Sequence, residues 1–530
     1  MSERKSIFYS AFWVSLGTLV TRVIGLGREI AMAAAFGTGF AADAFIVAWR
    51  FPNLFRFVFG ENSFTAAFLP KFTEIRHKEG PEAAFAMASA ILSALMLLLI
   101  GVCVIGVVFA PQIIRVIVIG WHNDPARLQL STKLVRILFL FIGFVGLGSY
   151  CQAILNTYRK FFVSSLAPAF TNLTWMAGVG LATFLFAGES RQIQAVALSV
   201  VVGGFLSFLW QFLWVLKIGW RFSWAIKGRK RDIIEVALLL LPSLLSLASH
   251  EINYLADVML ASLLPGGSVS SLAYGMRLVY LPLALVGYAV ATASLPTLAE
   301  AAANDDDKSF AQTLSYTARS IFTLLAPIAL VTVVLRFEVV SLIFERGSFA
   351  SATSTPMVAW ALLFYIIGLP FHGITRTMQQ AFYAKKDTRT PVYIAGLGVI
   401  FNILLSMIFM FHLDHGGLAL GSSLTGLINS VLLVYYLGKR IDGFKIWPIV
   451  RNALRVLGAG GFAAVLTWLF KDWFNPMVAT NFDFLTKLIQ FVTPSIFYFA
   501  VFFGLAKLLR ITEVEYAWKR VLGRIIRRYR

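Results

Sequence analysis

Runs of about twenty or more predominantly apolar residues follow one another along almost the whole chain, each separated from the next by a short polar connector. A helix of that length spans a bilayer's hydrocarbon core, and in that medium every backbone N–H and C=O must be paired within the segment. The runs are therefore constrained to be helices. We place about fourteen of them, the first near residues 7–36 and the last near residues 485–509. With 58% hydrophobic and 14% charged residues in 530, against about 25% charged in an average soluble domain, no length is left for a sizeable soluble domain. The expected fold class is an all-α integral membrane protein.

The formal net charge of +20 raises the possibility of a nucleic-acid partner. The cations are instead spread over alternate connectors: Lys71–Lys78, Arg159 and Lys160, Lys217–Arg231, Lys385–Arg389, Lys439–Arg451 and the tail VLGRIIRRYR. Intervening connectors such as AGES at 187–190 and HLDHGG at 412–417 carry few. This alternation is the positive-inside pattern of a multi-pass protein, so no nucleic acid is expected, and both termini are expected in the cytoplasm with an even number of spans. The basic, apolar opening lacks a convincing cleavage site and is read as a retained first helix. Cys103 and Cys151 both lie in apolar runs and are read as packing residues. The tail EYAWKRVLGRIIRRYR reads as an amphipathic cytoplasmic helix on anionic lipid.

An internal repeat organises the chain. FLPKFTE at 68–74 recurs as SLPTLAE at 294–300, and AILNTYRK at 153–160 is echoed by AFYAKKDT at 381–388. Offsets of about 226 and 228 residues covering an even number of spans give both copies one membrane orientation, and hence two six-helix lobes related by a pseudo-two-fold axis along the membrane normal. The expected domains are residues 1–231 as the N-terminal lobe, 232–440 as the C-terminal lobe, and 441–530 as two extra helices with a basic tail. Aromatic residues in the extra pair, Trp468 and Phe491 among them, either border an apolar path for a lipid tail or simply face lipid.

Arg22, Arg28, Arg56, Arg277 and Arg376 sit inside segments otherwise apolar enough to cross a bilayer. A guanidinium facing lipid is costly, whereas one facing a wet cavity binds an anion with two parallel hydrogen bonds. Surplus intramembrane arginines therefore point to a transporter of an anionic, lipid-linked substrate. Arg22 and Glu29 are seven residues apart and return to nearly one helix face, while Gly25 and Gly27 allow a bend that brings Arg28 round. Arg28 and Glu29 also fit a purely structural pair. In the next segment Asp43 and Arg50 share a face, Pro52 interrupts the hydrogen-bond ladder, and Glu61 follows Arg56. Arg50 and Arg56 also fit side chains that snorkel to the surface, Arg50 as readily as it fits a functional role.

The combination of TRVIGLGRE, FGTGFAADAFIVAWRFPNLFRFVFGENSFTAAFLP, GSVSSLAYGMRLVYLP and FYAKKDTRTP resembles the MurJ (MviN) lipid II flippase family, in the superfamily of multidrug, oligosaccharidyl-lipid and polysaccharide exporters. The resemblance covers essentially the whole chain. It implies a flippase, not an enzyme, that carries the undecaprenyl-diphosphate-linked peptidoglycan precursor from the cytoplasmic to the periplasmic leaflet of the bacterial inner membrane by alternating access. It further implies cavity roles for Arg22, Arg28, Glu29, Asp43, Arg56, Glu61, Ser270, Arg277 and Arg376. Arg28 and Arg277 would touch the diphosphate, with Glu29 holding Arg28 in place. The chain departs from many relatives at Glu29, Phe57 and Met276, which removes a gate salt bridge at position 276.

No cofactor is expected, and a monomer is expected by analogy with transporters of this repeat type. Resemblance places a coupling-ion site at Asp257, Asn402, Ser406 and Ser422, with proton or membrane-potential coupling open and His250 and Glu251 as titratable candidates. A polysaccharide (O-antigen type) lipid flippase remains the near alternative. A multidrug antiporter would favour acids and aromatics over surplus arginines. A membrane enzyme acting on polyprenyl-diphosphate lipids would need paired carboxylates or a His-rich loop, for which only Asp305–Asp307 offer material.

Overall fold

The computed structural model describes residues 3–59, 63–220, 222–223, 227–478 and 483–515. Among these the regular structure is helical throughout. Among the described residues nine helices are long and apolar enough to cross a membrane, or ten if a pair bent by 43° counts as one span. That pair is Ser354–Ile367 and Leu369–Ala384, and Pro370 at the start of the second helix accounts for the break, because its ring denies the ladder an N–H and crowds the preceding turn.

The chain divides into two compact units, Met1–Ser270 with Arg346–Ser351, and Ser271–Glu345 with Ala352–Arg530. The first holds α1 (Glu3–Phe36), α2 (Phe40–Phe59), α3 (Ser63–Lys78), α4 (Pro81–Val108), α5 (Ala110–Ile117), α6 (Pro125–Thr157), α7 (Phe161–Leu185), α8 (Glu189–Lys217) and α9 (Lys230–Ala261). Next come α10 (Ser268–Pro282), which starts at the unit boundary, α11 (Tyr288–Ala303), α12 (Asp307–Val334), α13 (Arg336–Phe344), α14 (Ser354–Ile367) and α15 (Leu369–Ala384). The second unit is completed by α16 (Arg389–Leu413), α17 (His415–Arg440), α18 (Trp447–Phe474) and α19 (Asp483–Leu508). The helix α9, which opens the second half of the sequence repeat, packs with α2, α3 and α4 inside the first unit.

Backbone turns carry the repeat more clearly than side chains do. Left-handed residues at Gly37, Gly80, Arg159, Gly188 and Gly219 find counterparts at Gly267, Asp305, Lys386, Asp414 and Gly443, each about 224 to 230 residues further on. Pro70 inside α3 and Pro296 inside α11 match in the same way. At Arg159, Asp305 and Lys386 the following amide folds back on the ending helix, reaching the Leu155, Ala301 and Phe382 carbonyls at 2.9–3.0 Å. Gly80, Gly188 and Asp414 instead directly precede the next helix, so it is the order of positive-φ positions that recurs.

The turn after α15 shows how a loop motif sets a helix start. Lys386 takes the left-handed conformation, and Asp387 accepts hydrogen bonds from the Arg389 and Thr390 amides at 3.0 Å each and from the Thr390 hydroxyl at 2.6 Å. Its second oxygen also receives Arg440. Burial pushes this carboxyl up, but the Thr390 hydroxyl, the Thr390 amide and Arg440 outweigh it and hold the group at about 2. A depressed carboxyl contributes stability above its unfolded pKa, near 4, and loses it as pH falls through 2. Asp387→Ala is therefore expected to destabilise the detergent-solubilised protein by about 1 kcal/mol at pH 7. The gap in unfolding midpoint should persist to about pH 4 and close toward pH 2; a gap that is constant from pH 7 to pH 2 would remove the charge from the explanation.

Candidate functional site

In the first unit α1 lies against α7 closely enough that a Cβ at Gly17 would meet Ser165 Oγ at 2.3 Å. Thr21 continues the seam by donating to the Ser165 carbonyl at 3.2 Å. Four and six residues further, Gly25 and Gly27 face Asn172 and Met176. This close approach brings the Arg28 guanidinium onto α7. Its Nη1 donates to Asn172 Oδ1 at 2.8 Å, its Nη2 reaches Glu29, and its carbon centre lies 4.2 Å from the centre of the Trp175 ring. The Asn172 amide is itself oriented by the Thr21 carbonyl.

Trp175 belongs to an aromatic cluster with Phe45 and Trp49 of α2 and Phe141 of α6, with ring centres 4.8–5.2 Å apart along Trp49–Trp175, Phe45–Trp175 and Trp49–Phe141. Arg28 is thus stacked on an indole, held by a neutral amide and paired with Glu29, which sits beside it on the same helix. Both side chains of that pair remain partly accessible, at 14% and 18%. The arrangement is a partly accessible cation whose pairing with Glu29 an incoming anion can replace.

A second cluster surrounds Asp43, which is 1% exposed. Its Oδ1 accepts from the Ser270 amide at 2.8 Å and the Ser270 hydroxyl at 2.7 Å, and its Oδ2 from the Gly267 amide at 2.7 Å. A side chain from α2 thus caps the N-terminus of α10, filling donors that the helix cannot satisfy itself. The turn that presents those donors is wedged from below. The Gly120 amide donates to Ser262 Oγ at 3.1 Å, and a Cβ at Gly120 would sit 2.0 Å from the Ser262 carbonyl oxygen, so only glycine fits. Arg127 closes the other side, paired to Asp124 and packed where a Cβ at Gly266 would stand.

Arg50 is buried, 3.6 Å from Glu251 of α9, and its guanidinium lies over the Tyr254 ring. The snorkelling reading of Arg50 is corrected by this: a cation with 8% side-chain exposure facing an acid is held inside the unit. Arg22 is exposed. The side chain of Arg56, that of His250, and Glu61 altogether lie outside the described residues.

In the second unit Arg277 and Arg376 are both exposed, Arg376 with its guanidinium 5.7 Å from the Tyr288 ring centre. Asn402 and Ser406 on α16 are fully buried, and Asn402 donates to Ser422 Oγ of α17 at 3.0 Å. Gly421 lets α17 approach, since a Cβ there would meet Ser406 Oγ at 2.6 Å. Asn402 Oδ1 and Ser406 Oγ are buried oxygens without a hydrogen-bond partner. Asp257, on α9, belongs to the first unit. Among the described residues no three His, Cys, Asp or Glu side chains come together as metal ligands would.

A profile of the family described as lipid II flippase MurJ matches residues 32–489. The chain belongs to the lipid II flippase MurJ family. The lipid II flippase MurJ of Burkholderia cenocepacia is 31% identical over 97% of this chain and 99% of its own length. The probable lipid II flippase MurJ of Vibrio cholerae is 31% identical over 85% of this chain and 87% of its own. A solved lipid II flippase MurJ in an inward closed conformation has the same fold, with TM-score 0.75 at 24% identity over 93% of this chain and 98% of that one. An inward-facing multidrug transporter of the MATE family follows at TM-score 0.67 and 13% identity, covering 82% of this chain and 98% of that one. The profile spans α2 to α18 whole, so membership extends over both units.

Within this MurJ-family chain, sequence reasoning singled out both members of the Arg28–Glu29 and Asp43–Ser270 contacts. It missed Asn172 and Trp175, which hold Arg28, and Arg127 and Gly120, which hold the turn that Asp43 caps. A polar amide followed three residues later by tryptophan in the α7 run was the available signal, since an amide in a membrane helix needs a partner.

Proposed function

We propose that this protein translocates lipid II from the cytoplasmic to the opposite leaflet of the bacterial inner membrane by alternating access, as a monomer with both termini in the cytoplasm. The observation that supports it most directly is the Arg28 site. A diphosphate oxygen presents the acceptor geometry that Glu29 offers now, so an incoming headgroup exchanges with Glu29 on the guanidinium while Asn172 and Trp175 keep the fork in place. Glu29 returns when the headgroup leaves. No covalent bond is made or broken in this cycle. We assign the other charged residues of the apolar segments, Arg22, Arg56, Glu61, Arg277 and Arg376, to substrate binding as well.

Energy for the cycle is assigned to a monovalent cation, most simply sodium, taken at Asn402, Ser406 and Ser422 of α16 and α17. The two partnerless buried oxygens, Asn402 Oδ1 and Ser406 Oγ, are hard neutral donors of the kind such an ion takes. Protons and the membrane potential are the competing drivers. The reading is tested by equilibrium binding to the purified protein: lipid II is expected to bind at least about tenfold tighter than an equally long organic cation, reflecting one charge-assisted contact. Preference for the cation would move the chain to a multidrug antiporter role.

A further inference from the structure

The far end of α18, away from the basic residues Arg451 and Arg455 at its start, runs into a short turn at Asn475–Met477, where α13 and α19 close around it. Glu338, Lys471, Asp472, Asn475, Pro476 and Gln490 line a cavity of about 350 Å³ there. Glu338 Oε1 forms an ion pair with Lys471 Nζ at 3.3 Å and accepts from Asn475 Nδ2 at 3.1 Å. An ionised carboxylate only accepts, so Asn475 must turn its NH2 toward Glu338 and its Oδ1 away. The Gln490 amide is already committed to the Asn475 carbonyl at 3.0 Å.

Acceptors are therefore in surplus. Glu338 Oε2 and Asn475 Oδ1 are buried and have no hydrogen-bond partner, although a buried polar atom is normally satisfied. Asp472, half exposed, adds a second carboxylate, with Lys471 Nζ 3.9 Å away. Two carboxylates against one ammonium, beside the carbonyl end of α18, leave the pocket net negative. Its occupant must carry positive charge and donate several hydrogen bonds. A primary ammonium has three donors to offer, and a quaternary one has none.

The surroundings place such a ligand in lipid. Trp473 and Met477 are 60% and 64% exposed on the same turn, and Phe470 stacks on Phe497 with ring centres 4.6 Å apart. Exposed tryptophan at the end of an apolar helix marks the layer where phospholipid headgroups lie. We propose that this cavity binds the primary-ammonium headgroup of an aminophospholipid. Its ammonium is taken by Glu338, Asn475 and Asp472, and its phosphate faces Lys471.

The test uses delipidated full-length protein titrated with dihexanoyl phosphatidylethanolamine and dihexanoyl phosphatidylcholine, monitored by thermophoresis. The wild type is expected to bind the ethanolamine lipid about tenfold more tightly, with the preference falling to about threefold or less in both Glu338→Gln and Asp472→Asn. Asp472 lies at the exposed mouth, so its variant keeps the test decisive if Glu338→Gln does not fold. Equal affinities in the wild type would mean a pocket that holds only water and would overturn the proposal. A preference that survives in both variants would do the same, by placing its origin elsewhere. Glycerophosphoethanolamine is expected to compete and free ethanolamine to compete poorly; equal competition by free ethanolamine would overturn the lipid assignment in favour of a soluble amine.

Discussion

Replacing Arg28 with alanine is expected to weaken lipid II binding by at least about thirtyfold, the equivalent of roughly 2–5 kcal/mol for truncating one partner of a desolvated charge pair. The size follows from how the side chain is held. Asn172 and Trp175 position the guanidinium before any ligand arrives, so no ordering cost is charged to the anion. Arg28→Lys retains the charge but loses the planar fork and the stack on Trp175, so it is expected to fall between wild type and alanine. Binding to the purified variants, alongside their melting temperatures, separates this from misfolding. Unchanged affinity in Arg28→Ala would make the Arg28–Glu29 contact a structural pair and nothing more.

Asp43→Asn is the second large effect. The carboxylate accepts from three donors with its two oxygens, and an amide has one oxygen and one NH2. At least one buried donor of the α10 turn is then set against another donor, a loss of about 1–3 kcal/mol. Ser270→Ala removes a single bond and leaves both amide contacts in place, costing about 0.5–1.5 kcal/mol. Thermal unfolding in detergent and lipid II transport should therefore rank wild type, Ser270→Ala and Asp43→Asn in that order. Equal behaviour of the two variants would show that the backbone contacts to Gly267 and Ser270 contribute nothing beyond the hydroxyl.

The helical fold was legible because bilayer solvation forces it: an apolar run of spanning length has one viable secondary structure. The internal repeat was visible in two short sequence echoes, but its stronger record lies in the backbone. Arg159 and Lys386 share a left-handed turn, and Gly188 and Asp414 both take a positive φ just before the next helix, although glycine and aspartate do not resemble each other in an alignment by eye. The charges of the site were legible for a simple reason, that an ionised group in an apolar segment is expensive and stands out. Their supports were not. Asn172 and Trp175 lie 144 and 147 positions from Arg28 and are neutral residues that read as ordinary packing. The partner of Arg50 escaped notice for the same reason of distance, since Glu251 comes from α9 and the sequence offers no cue to which helices touch. Gly120 is the sharpest case, because nothing but the neighbouring Ser262 carbonyl explains why that residue has no side chain.

The central claim is that lipid II crosses the bilayer through this protein on an anion site built around Arg28. The most direct measurement reconstitutes wild-type protein and Arg28→Ala at equal density in proteoliposomes loaded with fluorescent lipid II, and follows the fraction reaching the opposite leaflet by accessibility to an impermeant quencher. The account predicts transfer by the wild type, at least about tenfold slower transfer by the variant, and no acceleration of a neutral lipid of matched chain length. Transfer of lipid II at the protein-free rate by folded wild-type protein, or at the wild-type rate by Arg28→Ala, would contradict it.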